Sequence, residues 1–276
     1  MEGFVVIGDM VATGLLALGI TRGARGRALA SVVPLLIWGM MAAALAAALS
    51  AIPTFGGFLL LALGAGFGAT FGALIAFSAR AERMPLYLTG LLVLYGVTGV
   101  FLSLSVMETS AIFWQSRMGS SNAERLASGA VALLSGSLVA GGGCAMFIRR
   151  LPAGPVAMLL RTTPLYRLLL AALILVLLGR LMASGGGLVL FSMVSCLSMV
   201  LGALVVLPAR EADLWPFAIL LTALSGLATA AIGFALASLL LIIAGGLASA
   251  SMAQLLNSVC RESGRRPRDL LLGNPR

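Results

Sequence analysis

The chain has 276 residues, of which 61% are hydrophobic and only 10% are charged. Soluble domains carry about a quarter charged residues, so this composition excludes an ordinary water-soluble protein. The formal net charge is +9, but the arginines lie in short breaks between apolar stretches, which argues against a nucleic-acid-binding protein. Three cysteines and no histidine provide neither a disulfide framework nor a metal site.

The apolar residues fall into about nine stretches of 17 or more residues. A helix needs roughly 20 apolar residues to cross the hydrocarbon core of a membrane. The pattern therefore predicts an all-α fold, a polytopic transmembrane bundle of about nine helices. The predicted helices cover residues 4 to 20, 31 to 51, 55 to 79, 84 to 107, 123 to 148, 165 to 183, 186 to 208, 214 to 233 and 236 to 259.

The arginines predict the orientation of these helices. With nine spans, fifteen arginines fall on one side of the membrane and three on the other. Because positive residues are concentrated on the cytoplasmic side, we expect the N-terminus outside and the C-terminus in the cytoplasm. The first span has no basic segment before it, so we expect it to be retained. Residues 1–260 are predicted to form one transmembrane domain, and residues 261–276 a basic cytoplasmic tail.

Several glycines are candidates for helix packing. Gly64, Gly68 and Gly72 repeat every four residues, the spacing that lets two membrane helices approach closely. The sequence does not decide whether two copies of the chain form a homodimer through this face. The same region matches G-x-G-x-x-A formally, but a dinucleotide fingerprint must follow a strand, so we expect no cofactor site. The glycine runs 141 to 143 and 185 to 187 predict a bend and a turn.

Ionisable and polar residues inside apolar stretches are candidates for function, because they are costly in lipid. Asp9 is a candidate proton or cation site, unless it simply reaches interfacial water. A second group lies in and around the last two predicted helices, where Thr222 and Ser225 share a helix face, about 60° apart. Such hydroxyls often bond to their own helix instead. The candidates for a proton path are Asp213, Thr222, Ser225, Ser238, Ser249 and Ser251.

Two long segments resemble a known family. Residues 212 to 233, ADLWPFAILLTALSGLATAAIG, and residues 239 to 261, LLLIIAGGLASASMAQLLNSVCR, are similar to the membrane part of the beta subunit of proton-translocating nicotinamide nucleotide transhydrogenase. Matching positions include Asp213, Ser225, Gly226, Gly245, Ser251 and Arg261. Gly226 and Gly245 are expected to pack helices.

The resemblance implies a function for the chain within a complex. In that family the beta subunit conducts protons across the bacterial inner membrane, while hydride passes from NADH to NADP outside it. The implied partners are a transhydrogenase alpha-type subunit that binds NAD and a separate NADP-binding domain, besides the lipid bilayer itself. The chain stops where the family's NADP-binding domain would begin, so we expect no catalytic and no cofactor-binding residue in it.

Several family positions differ here. Leu92 stands where the family has a histidine or an asparagine, Thr222 replaces an asparagine, and Met252 replaces a glycine. Leu92 offers no titratable group to a proton path. Two alternatives to a proton-conducting subunit therefore remain: a non-catalytic relative that acts as a membrane scaffold, and a small-solute or cation carrier that uses Asp9.

Overall fold

The computed structural model describes residues 2–24, 29–50, 55–78, 84–108, 122–150, 164–185, 187–209, 213–236 and 238–262. These ranges contain nine α-helices and no strand. The helices are α1 (Glu2–Ala24), α2 (Leu29–Ser50), α3 (Phe55–Ser78), α4 (Met84–Glu108), α5 (Asn122–Arg150), α6 (Pro164–Ala183), α7 (Leu188–Val206), α8 (Leu214–Ala235) and α9 (Leu239–Glu262). Each lies close to its predicted position, which confirms the all-α fold.

Most of these helices have the length and composition of membrane spans. Within the described residues, seven helices, α3 to α9, are long and apolar enough to cross a membrane. In α2, a shorter apolar stretch, Ser31–Ala43, is found among the described residues. The chain is thus a multi-pass membrane protein. The predicted orientation of the two termini stays a prediction, and most of the predicted tail lies outside the described residues.

The chain divides into two compact units, Met1–Ala81 and Glu82–Arg276. In the first unit, α1 and α2 pack through glycines. A Cβ atom placed on Gly19 would lie 2.8 Å from Cδ2 of Leu36, and one on Gly39 would lie 2.9 Å from Cγ of Leu16. These pairs show that α1 and α2 run antiparallel and in close contact.

In the second unit, α5 is the central helix. Within an apolar stretch of 18 residues in this helix, 67% of the residues are buried, the largest share among the seven apolar helices. Its neighbours include α4, α7 and α8, which contribute Leu92, Val206 and Leu221 to one apolar cluster around it. Most of the packing in this unit therefore depends on the surface of α5.

Each glycine of the run 141 to 143 in α5 faces a different neighbouring helix. A Cβ atom on Gly141 would overlap the backbone of Met199 in α7. One on Gly142 would lie 2.8 Å from Cδ2 of Leu221 in α8, and one on Gly143 would lie 3.0 Å from the backbone nitrogen of Val93 in α4. Successive residues of a helix point about 100° apart, so three consecutive glycines can each face a different neighbouring helix. The helix continues through the run, which packs the bundle and does not interrupt α5.

Two arginines of α5 hydrogen-bond to the ends of neighbouring helices. Near the start of α5, the buried guanidinium of Arg125 donates to the carbonyl oxygens of Val106 and Met107 at the end of α4, over 3.5 and 3.4 Å. The last carbonyls of a helix have no partner within it and favour a nearby positive charge. Arg149, at the other end of α5, donates to three carbonyl oxygens at the end of α7, those of Val206, Leu207 and Ala209.

We predict that Gly141→Ala destabilises the protein, because the added methyl group would overlap the backbone of Met199. Overpacking of a tight core costs about 1–3 kcal/mol, and the melting temperature in detergent should fall. Gly179→Ala is the matched control, since nothing lies within 4 Å of a Cβ atom there. Equal melting temperatures for the two variants would contradict the packing role of Gly141.

Candidate functional site

The structure brings together α8 and α9, the two helices that hold most of the predicted polar residues. A Cβ atom on Gly226 would lie 2.9 Å from the carbonyl oxygen of Gly245, and one on Gly245 would lie 2.7 Å from that of Gly226. The backbone nitrogen of Ser249 would lie 2.7 Å from the Cβ atom placed on Gly226. The two helices thus cross backbone to backbone, with no side chain between them at this level.

Three of the predicted hydroxyls bond to their own helices. Thr222 Oγ1 donates to the Ala218 carbonyl over 2.8 Å, and Ser225 Oγ donates to the Thr222 carbonyl over 2.8 Å. Ser251 is exposed, and its Oγ donates to the Ala248 carbonyl over 3.0 Å. Since each hydroxyl proton is used within a helix, these groups form no hydrogen-bonded chain from α8 to α9 in this conformation.

The other predicted path residues lie far apart. Asp213 directly precedes α8, whereas Ser238 follows that helix and accepts a backbone hydrogen bond from Ile242 over 3.1 Å. A helix of 22 residues is about 33 Å long, so these two residues lie at opposite ends of it. Ser249 is half-buried beside Gly226. The six candidates therefore do not form one compact site.

Leu92 stands where the resemblance to the family implies a polar side chain, and it lies in an apolar environment. Only 8% of it is exposed, and it belongs to a cluster with Val139, Met146 and Leu221. We call these four residues, from α4, α5 and α8, the apolar layer. Leu221 directly precedes Thr222. The layer supplies neither a titratable group nor a hydrogen-bonding side chain to a proton.

The structure also shows a buried polar contact that the site prediction missed. Ser137 Oγ of α5 and Ser195 Oγ of α7 lie 3.2 Å apart, both buried. Ser198, one turn further along α7, is fully buried, and its hydroxyl makes no hydrogen bond to any described residue. The signal in the sequence is the three-residue spacing of Ser195 and Ser198, which puts both on one face of an otherwise apolar helix.

The remaining candidates are isolated. Asp9 is half-buried in α1, where its backbone carbonyl accepts a hydrogen bond from Thr13 Oγ1 over 2.7 Å. Within the ranges described, no three His, Cys, Asp or Glu side chains lie close enough together to hold a metal ion. Apart from nearby residues of α3 itself, no described atom lies within 4 Å of a Cβ atom placed on Gly64, Gly68 or Gly72, so their packing role stays a prediction.

Glycine-mediated helix contacts and an apolar layer between α4, α5 and α8 define the second unit as a tightly packed membrane domain. The family model of the NAD(P) transhydrogenase beta subunit matches residues 6–275. The chain belongs to this family, which confirms the resemblance seen in the sequence. No curated protein matches the chain.

We predict that Leu92→Ala lowers the melting temperature in detergent, because it opens a cavity in the apolar layer. Truncation of a buried leucine to alanine costs about 2–5 kcal/mol. Leu94→Ala is the control on the same helix, since Leu94 is 60% exposed. If Leu94→Ala lowers the melting temperature as much as Leu92→Ala does, packing in the apolar layer adds no particular stability.

A second pair of variants tests the crossing of α8 and α9. Gly245→Ala should destabilise the protein, because its methyl group would press on the backbone of α8 near Ala230 and Gly226. Its neighbour in sequence, Gly246, has nothing within 4 Å of a Cβ atom, so Gly246→Ala should leave the melting temperature unchanged or raise it, as alanine favours helix over glycine by about 1 kcal/mol. A lower melting temperature for Gly246→Ala than for Gly245→Ala would contradict this crossing of α8 and α9.

Proposed function

We propose that this chain is the membrane subunit of a transhydrogenase-type complex in a bacterial inner membrane. In this complex, hydride transfer from NADH to NADP would be coupled to proton translocation through the membrane domain. The proposal is supported chiefly by the family match over residues 6–275, together with the glycine crossing of α8 and α9 at Gly226 and Gly245.

The nucleotides are proposed to bind to partner domains. An alpha-type subunit would hold NAD, and an NADP-binding domain would hold NADP, because the seven apolar helices are suited to lipid and a dinucleotide site needs a water-accessible strand-to-helix turn. These domains would dock on the arginine-rich side of the membrane domain. This chain would contribute the membrane route, and its partners the hydride chemistry.

Proton transfer would require the apolar layer to open. Leu92 and Leu221 come from α4 and α8, and both pack against α5. A proton needs titratable groups or water in continuous reach, so α4 or α8 must move away from α5 for water to enter. Thr222 and Ser225 would also have to release the carbonyls of their own helix.

A second candidate function is a non-conducting membrane scaffold, which the apolar layer itself favours. A scaffold would keep the helix packing and the docking of the nucleotide domains, but it would move no protons. Both functions are consistent with family membership. Only a measurement of proton movement separates them.

We predict proton movement when the chain is reconstituted in liposomes with the alpha-type subunit and the NADP-binding domain. Addition of NADPH and NAD should change the internal pH, read by a pH-sensitive dye, and an ionophore should abolish the signal. Hydride transfer without any pH change would reject the conducting function and support the scaffold. In that case Leu92→His with Thr222→Asn should restore no pumping, whereas a gain of pumping would count against a mere scaffold.

A further inference from the structure

Helices α6 and α9 are exposed to the same extent, but their outward faces differ. In each, 17% of an apolar stretch of 18 residues is buried. The exposed side chains of α6 are mostly large and apolar, such as Leu168, Leu173 and Val176. Those of α9 include four polar ones, Ser251, Gln254, Asn257 and Ser258. Large apolar side chains suit lipid, whereas small and polar ones are enriched where membrane helices meet, so the outward face of α9 is suited to another helix.

The polar residues of α9 form a stripe along that outward face. At 100° per residue, four exposed positions lie within about 60° of one another around the helix, and we call them the outer seam: Leu247, Ser251, Gln254 and Ser258. Gly245 and Leu256 are buried against α8 and point to the opposite side of the helix. The outer seam is therefore separate from the crossing of α8 and α9.

Gln254 places a side-chain amide inside the membrane. It lies seven residues before Arg261, which is about 10 Å from it along the helix axis and stands in the last turn of α9. The amide is exposed and makes no hydrogen bond within the described residues. Lipid tails offer no hydrogen-bonding group, whereas a neighbouring membrane helix does. Gln254 therefore favours a helix, not lipid, as the neighbour of the outer seam.

The outer seam is complementary to itself. A glutamine amide both donates and accepts hydrogen bonds, so Gln254 of one copy can bond to Gln254 of another. Beyond the seam, the exposed Arg261 and Glu262 point about 50° to either side of its centre. A two-fold axis normal to the membrane makes two α9 helices parallel and places the same surface of each against the other. It brings Arg261 of each copy to the side where Glu262 of the other lies.

We propose that two copies of this chain pair in the membrane through the outer seam of α9. The Gln254 amides bond to each other inside the membrane, and Arg261 and Glu262 form two reciprocal ion pairs at the helix ends. This contact differs from a homodimer through residues 64 to 72, which belong to α3. It involves neither proton movement nor nucleotide binding, so it can hold or fail independently of the proposed function.

The first test is disulfide cross-linking of the full chain in liposomes. Cys144, Cys196 and Cys260 are replaced by alanine, and one cysteine is added as Ser258→Cys, close to the proposed two-fold axis. Oxidation should then link two copies, because facing residues at such an axis lie within the reach of a disulfide. Leu173→Cys, exposed on α6, is the control and should give no linked dimer.

The second test measures how strongly the copies associate. Donor and acceptor dyes are attached to separate copies at Val189→Cys, an exposed position in the cysteine-free chain, and energy transfer is followed as lipid is added. Gln254→Leu should weaken association about tenfold, since hydrogen bonds between membrane helices are of that strength. Ala253→Leu is the matched control: this neighbour is exposed but lies outside the seam, so association should not change.

A charge exchange tests the ion pairs at the helix ends. Arg261→Glu or Glu262→Arg alone should weaken association, because like charges would then meet across the pair. The double variant Arg261→Glu with Glu262→Arg should restore it, since each new charge again faces its opposite on the other copy. A double variant that associates no better than either single one would contradict the reciprocal arrangement.

Two further outcomes would overturn the proposal. One is energy transfer at the level of randomly distributed monomers at every ratio of lipid to protein, which would mean that lipid or a different protein covers the outer seam. The other is a dimer that cross-links at Gly68→Cys in α3 but not at Ser258→Cys, which would place the contact between copies on another helix.

Discussion

The second unit depends on the close approach of helix backbones to α5. In lipid no hydrophobic force drives helices together, so association relies on van der Waals packing over short distances. The glycines at 141 to 143 permit such packing on three sides of one helix. Gly226 and Gly245 do the same for α8 and α9. A side chain at Gly141, Gly226 or Gly245 would overlap the backbone of a neighbouring helix.

Several polar groups in this close packing hydrogen-bond to carbonyl oxygens of the helices, whereas the buried hydroxyl of Ser198 has no partner among the described residues. Hydroxyls in α8 and α9 bond to carbonyls of their own turns, and the arginines at both ends of α5 hydrogen-bond to helix ends. The apolar layer lies between these ends. A member of the NAD(P) transhydrogenase beta-subunit family thus has a membrane domain in which leucine, valine and methionine side chains of α4, α5 and α8 pack together.

The features that the sequence predicted well, helix positions and a turn, depend on residues that are close together in the chain. The apolar stretches gave all nine helices within a few residues, because each span must satisfy its backbone hydrogen bonds internally. The turn before α7 was also predicted, and Gly185 there adopts a positive φ of 74°. The bend expected at residues 141 to 143 stays a prediction, since the run lies within the continuous helix α5. That its three glycines contact three different helices could be seen only in the tertiary structure.

The sequence by itself determined that this chain is a helical membrane protein of the transhydrogenase beta-subunit family, because hydrophobic length and local motifs are properties of contiguous residues. Only the tertiary structure decided which residues meet. It paired Ser137 with Ser195, placed Leu92 beside Leu221 and turned Thr222 back on its own helix. Such contacts join residues far apart in the chain, and they follow from the rotation and register of packed helices, which no local pattern records.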